Sequence, residues 1–158
     1  MKLLTIVIPS YNSEAYLRKC VDCLLPGGER VEILIVNDGS TDGTAAIADA
    51  YAQKYPTIVR AIHQENKGHG GAVNTGLAEA TGVYFKVVDS DDTVNQEAYQ
   101  KILDTLENMA MDGTGVDMLI TNYIYDKVGV RRKKVISYRN ACPEGQVFTW
   151  PIYRKRDG

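Results

Sequence analysis

The order of apolar runs and helical stretches constrains this chain more than any single motif. "LLTIVIP" (3–9) is apolar without alternation, the pattern of a strand buried on both faces. "SEAYLRKCVDCLL" (13–25) places Tyr16, Cys20 and Leu24, and Leu17 and Val21, at helical spacing, and Pro26-Gly27-Gly28 ends it. "VEILIVND" (31–38) is a second buried strand. The Ala-rich helix "DGTAAIADAYAQKY" (42–55) follows, with Ser40 or Thr41 placed to cap it and Pro56 just beyond. Strand "IVRAIHQ" (58–64), helix "GGAVNTGLAEAT" (70–81), strand "VYFKVVD" (83–89), helix "QEAYQKILDTLENMA" (96–110) and strand "VDMLITNYIYD" (116–126) continue the series. This βαβαβαβ order predicts an α/β fold with a mostly parallel central sheet and helices on both faces. In such sheets the ligand crevice lies outside the carboxyl ends of the strands.

The polar clusters fall at those ends. "PSYN" follows the first strand, "NDGSTD" the second, "ENKGHGG" the third and "DSDD" the fourth. Four strands thus deliver polar residues to one rim. In "FKVVDSDDTV" (85–94), Asp89, Asp91 and Asp92 crowd three carboxylates into one turn, and their mutual repulsion calls for a hard divalent cation. Mg²⁺ is held by one or two carboxylates together with substrate phosphates, so the turn predicts a metal and a phosphate-bearing ligand together. The plainer alternative is an acidic loop in which Asp92-Thr93 caps the next helix. Asp38, beside a tight glycine turn, can accept hydrogen bonds from a base or a ribose hydroxyl, or simply make the turn. Tyr11 can stack on a nucleobase.

Composition narrows the function classes. A chain of 158 residues with 44% hydrophobic and 24% charged residues suits one soluble domain with a sizeable core. A formal net charge of −2 gives no reason to expect nucleic acid or an anionic membrane as partner. Pro9 and the polar "SYN" end the first apolar run too early for a signal peptide, and no run approaches the ~18 residues of a membrane helix. A cytoplasmic location is expected, with association at the inner face of the membrane an option for a full-length protein. Cys20 and Cys23 form a C-x-x-C inside a helix rather than at its start, where a redox pair belongs. A zinc site would need Cys142 with His63 or His69 to converge from distant segments, so packing cysteines are expected.

After residue 126 the pattern changes. "VGVRRKKVISY" reads as the second arm of a hairpin with Gly129 near its turn. Arg131–Lys134 either meet an anionic ligand or blunt an edge strand with charge.

"TIVIPSYN", "VEILIVNDGSTDGT" and "ENKGHGGAVNTGLAEATGVYFKVVDSDD" together resemble the donor-binding half of glycosyltransferase family 2, over residues 4–95. The resemblance implies the GT-A fold, a Rossmann-like three-layer α/β/α sandwich, C-terminally truncated here. It implies inverting transfer of a sugar from a nucleotide diphosphate sugar, most often a UDP-sugar, to a glycan, lipid-linked or polysaccharide acceptor, with Mg²⁺ or Mn²⁺. By motif position Pro9 and Tyr11 line the base with Glu14 nearby, Asp38 hydrogen-bonds uracil, Asp89 with Ser90 holds the ribose side, and Asp91 with Asp89 serves the metal. Residues 1–126 would form the nucleotide-sugar-binding domain and 127–158 the start of an acceptor-side region.

Three departures stand out. Ala72-Val73-Asn74 replaces the family's Ala-Arg-Asn, leaving Lys67 and the Gly68–Gly71 amides to meet phosphate. Gln96 stands where proline commonly starts the helix. No Glu-Asp pair supplies the family's general base, so the expectation is a donor half with little turnover. A nucleotide-sugar-binding module without catalysis is the non-enzymatic alternative. "VVDSDDT" also satisfies the D-x-D-x-T pattern of haloacid dehalogenase-like phosphatases, with Asp89 as nucleophile, Asp91 as acid/base and "MLIT" (118–121) as a later strand. The glycines of "GHGGAVNTG" do not have Rossmann spacing, and no P-loop occurs.

Overall fold

A computed structural model describes residues 2–126, 129 and 133–149. The chain divides into two compact units, Met1–Met111 and Asp112–Gly158. The first holds β1 (Leu4–Ser10), α1 (Leu17–Leu24), a 3-10 segment (Leu25–Arg30), β2 (Val31–Asp38), α2 (Thr44–Lys54), β3 (Val59–Gln64), α3 (Gly68–Glu79), β4 (Tyr84–Val87) and α4 (Gln96–Met111). The four strands form one parallel sheet in the order β3-β2-β1-β4.

Every residue of β1 and β2 is buried, as their unbroken apolar runs require. Side chains alternate across the sheet. Val7, Leu34 and Val36 point to one face, where they pack with Ala72 of α3, Ile62 and Phe85. Right-handed crossovers put α1 and α2 on the opposite face, because β1, β2 and β3 step in one direction, whereas the step back from β3 to β4 carries α3 across the first face. Helix α4 joins the α1 side: Tyr99 Oη donates to the Leu24 carbonyl at 3.0 Å, and Arg30 reaches Asp104 Oδ1 at 2.7 Å. The result is the expected three-layer sandwich. Gly76 lets α3 lie directly on Val7, since a Cβ there would collide with the valine side chain.

The helix caps differ from expectation. Neither Ser40 nor Thr41 caps α2; Asp42 Oδ1 accepts the Thr44 N–H at 3.0 Å, while Ser40 and Thr41 bond Asn12. Asn95 rather than Asp92-Thr93 caps α4, accepting the Ala98 N–H at 2.9 Å. The acidic turn is thereby left out of helix capping.

In the second unit, β5 (Tyr123–Tyr125) and β6 (Lys134–Ile136) form the expected antiparallel hairpin, and Gly129 has φ 81°. The strand expected over 116–126 shrinks to these three residues and pairs with β6, not with the four-stranded sheet. Tyr123, Ile124 and Tyr125 are all exposed. An apolar run becomes a buried strand only where a second layer covers it, and periodicity alone does not report that layer. Of the basic run, Arg131 and Arg132 lie outside the described residues; Lys133 pairs with Asp126 at 2.6 Å.

Candidate functional site

The carboxyl ends of β1, β2 and β3 and the first turn of α3 enclose a cleft of about 370 Å³. Pro9, Ser10 and Tyr11 form the β1 side, Asp38 the β2 side, and Asn66, Gly68, His69 and Ala72 the side made by the β3–α3 loop. Tyr11 is 53% exposed, with its ring free of any partner ring among the described residues.

Asp38 is 2% exposed. Its Oδ1 accepts from Gln64 Nε2 at 2.6 Å and from the Lys67 N–H at 2.8 Å, which pins the start of α3 against β2. Its Oδ2 takes no hydrogen bond among the described residues. Since no buried side-chain oxygen there lacks a partner, Oδ2 opens into the cleft that Asp38 lines. The turn beyond it is tight: Gly39 has φ 72°, and a Cβ would lie 2.8 Å from the Asn66 nitrogen. Lys67 and Gly68 start α3 at the cleft, whereas Glu14 is engaged on the β1–α1 loop, accepting the Gly43 N–H at 2.9 Å.

The acidic turn meets the cleft through His69, whose Nε2 lies 2.9 Å from Asp89 Oδ1. The turn closes with the Asp92 N–H donating to the Asp89 carbonyl at 2.9 Å. Ser90 Oγ lies 2.7 Å from Ser13 Oγ. Burial first, and then the charges of Asp91 and Asp89, push the Asp92 carboxyl above its ordinary value. The negative charge of this turn is therefore not neutralised by the chain itself.

Among the described residues no three His, Cys, Asp or Glu side chains form a metal cage. Two hard carboxylates in an uncompensated acidic turn do fit a Mg²⁺ or Mn²⁺ ion that arrives with phosphate oxygens and water completing its shell. Asp91 makes no hydrogen bond or ion pair among the described residues, so it is available for that role.

Cys20 and Cys23 lie on α1 away from its first turn. Burial pushes the Cys20 thiol up to about 12, and burial also raises Cys23. Neither is poised for redox chemistry, in keeping with packing cysteines. The phosphatase alternative fails on topology. Asp89 follows β4 at the sheet edge instead of a first, central strand, and residues 118–121 form no strand.

His69, Asn66, Asn12 and Ser13 were not singled out as site residues from sequence. The first two belong to the "ENKGHGG" cluster, so their position after a strand was a signal. His69 was read as a solvated loop residue because nothing local announces Asp89, twenty residues on, as its partner.

Residues 5–151 match the description Glycosyl transferase family 2. The glycosyltransferase GlyG of Streptococcus pneumoniae is 38% identical over 129 residues, covering 80% of this chain and 41% of that protein. Chondroitin synthase of Escherichia coli is 33% identical over 154 residues, 97% of this chain and 20% of that protein. Among solved structures, S. aureus TarS 1–349 in complex with UDP-GlcNAc superposes with TM-score 0.60 at 30% identity, over 70% of this chain and 32% of TarS 1–349. The chain thus spans well under half the length of these relatives. With its motif order, its 3-2-1-4 sheet and its rim cleft accounted for, the chain belongs to glycosyl transferase family 2 and has the GT-A fold.

Proposed function

We propose that this chain binds the nucleotide of a nucleotide diphosphate sugar, a UDP-sugar in the first instance, as the donor part of an inverting glycosyltransferase. The observation that carries the reading is the arrangement of the cleft. An exposed aromatic ring, one free carboxylate oxygen on a rigid strand end and an acidic turn stand around a single opening. In this reading Tyr11 and Pro9 flank the base and Asp38 Oδ2 accepts an imide N–H of uracil. Asp89 and Ser90 stand on the ribose side. Lys67 and the Gly68 amide face the phosphates in place of the arginine that Val73 displaces. Glu14 acts from behind by holding the Gly43 turn.

Asp91, with Asp89, would hold Mg²⁺ or Mn²⁺ on the two phosphates. Such an ion, when bound, stabilises as a Lewis acid the charge that grows on the departing nucleoside diphosphate. The acceptor is a glycan, lipid-linked or polysaccharide hydroxyl, a class consistent with a relative named chondroitin synthase. Inversion needs a base for the acceptor hydroxyl's proton, and no residue of the cleft is assigned that role.

Calorimetry of UDP, GDP and TDP with and without Mn²⁺, on wild type and Asp91→Asn, tests the reading. Manganese-dependent UDP binding that disappears in the variant is expected. Equal UDP binding with and without metal overturns the role given to Asp91.

A further inference from the structure

Two residues that the nucleotide reading does not use join its two halves. Among the described residues Asn12 is the non-glycine with a positive φ, 48°, a left-handed conformation that asparagine tolerates better than most residues. Its N–H donates to Ser40 Oγ at 3.0 Å and its Oδ1 accepts the Thr41 N–H at 2.9 Å, which locks the β1–α1 loop to the β2–α2 loop. This reversal leaves Tyr11 facing the cleft and sends Ser13 inward, where it is 5% exposed.

Ser13 makes three contacts there. Its N–H donates to Thr44 Oγ1 at 2.8 Å. Its hydroxyl lies 3.3 Å from the Tyr11 carbonyl and 2.7 Å from Ser90 Oγ. A serine hydroxyl carries one proton and a carbonyl only accepts. Ser13 therefore donates to the Tyr11 carbonyl, and Ser90 must donate to Ser13. A one-way relay runs from the acidic turn, through Ser13, to the backbone of the aromatic residue at the base side. Cys20 Sγ reinforces the turn's end of it, donating to the Asp89 carbonyl at 3.5 Å.

From this relay we infer that Ser13 is a positioning residue that couples the Tyr11 loop to the acidic turn, so that binding of the base and retention of the diphosphate are energetically linked. The inference rests on the nucleotide-binding reading. A base seated against Tyr11 fixes that residue's backbone. Through Ser13 it then fixes Ser90, which lies between Asp89 and Asp91. Uncoupled, each side binds only with its own contacts.

The test is calorimetry on the full chain with UMP and with UDP, both with Mn²⁺. The proteins are wild type, Ser13→Ala, Ser90→Ala, the double variant and Ser13→Thr. Ser13→Ala is expected to weaken UDP about five- to tenfold and UMP less than twofold, the size of one hydrogen bond. The double variant should bind UDP no more weakly than either single variant, because both remove the same bond. Ser13→Thr, which keeps the hydroxyl, should recover most of the loss. Equal losses for UMP and UDP, or additive losses in the double variant, overturn the coupling. If Ser13→Ala does not fold, Ser90→Ala breaks the bond from the other side and decides alone. A wild-type chain that binds neither nucleotide removes the nucleotide reading and this inference with it. Wild-type binding with an unchanged UDP-to-UMP ratio in Ser13→Ala removes the inference alone.

Discussion

Strand β2 carries one buried acid at each end, and the two are treated differently. Glu32 opens the strand and Asp38 closes it; both lie on the α3 face, 5% and 2% exposed. Helix α3 runs between them, starting beside Asp38 and ending just before Thr81, which contacts Glu32. Both oxygens of Glu32 are used. Oε2 accepts from Thr5 Oγ1 at 2.9 Å and from the N–H and hydroxyl of Thr81 at 3.0 Å, and Oε1 pairs with Arg60 at 3.2 Å. Asp38 uses one oxygen for the fold and leaves the other to the cleft. A fully partnered buried acid is a fastening. A half-partnered one is a fastening that also faces a ligand.

The strongest way to break this comparison is at the fastening. Glu32→Ala leaves the Thr81 N–H, two threonine hydroxyls and Arg60 without their acceptor, and should destabilise the fold by about 3 kcal/mol in urea unfolding. UDP affinity of the folded fraction should stay within about twofold, since Glu32 lies a strand's length from the cleft. A cost under about 1 kcal/mol would show that the network is ornamental.

At the other end, Asp38→Asn can keep its Oδ1 as acceptor for Gln64 and Lys67 and replaces the free oxygen with an amide donor. The expected result is a stability change below about 0.5 kcal/mol with UDP binding weakened about tenfold or more, the worth of a hydrogen bond to a charged group. The converse result, lost stability with intact binding, would make Asp38 a second Glu32 and remove the distinction.

How far such differences can be read from sequence depends on where the partners lie. The limits of β2 were legible to the residue, because Val31–Asp38 is an unbroken run between a Pro-Gly-Gly stop and an Asp-Gly turn. The rim cleft was legible for a topological reason: parallel strands place all their carboxyl ends together. Glu32 was invisible inside "VEILIVND", since a buried run announces its layer but not the polar partners of one residue within it. Its partners come from positions 5, 60 and 81, and Ser13 finds Ser90 seventy-seven residues away. No window of local sequence contains such a pair. The stretch 116–126 misled for a related reason: its pattern resembles that of β2, yet Tyr123–Tyr125 pairs with a single three-residue strand and stays exposed.

The smallest effect sharpens the comparison through pH. Burial pushes the Glu32 carboxyl up, but the hydrogen bonds from Thr81, Thr5 and Arg60 outweigh it and hold the group below its ordinary 4.5. A carboxyl whose folded value lies below its unfolded one binds protons more readily when unfolded. Its stabilising contribution is therefore complete above the unfolded value and drains away as pH falls toward the folded one. In Glu32→Gln that slope is absent while the side-chain shape is kept. The stability gap between wild type and Glu32→Gln, measured by urea unfolding from pH 7 to pH 3, should be constant down to about pH 5 and narrow below it. Asp38→Asn, measured in parallel, separates the ends of the strand in the other coordinate, by changing nucleotide affinity at pH 7. A gap that widens on acidification would mean that Glu32 is protonated in the fold. Its four donors would then have to be shared with a neutral acid, and the network that fastens α3 to the sheet would owe nothing to charge.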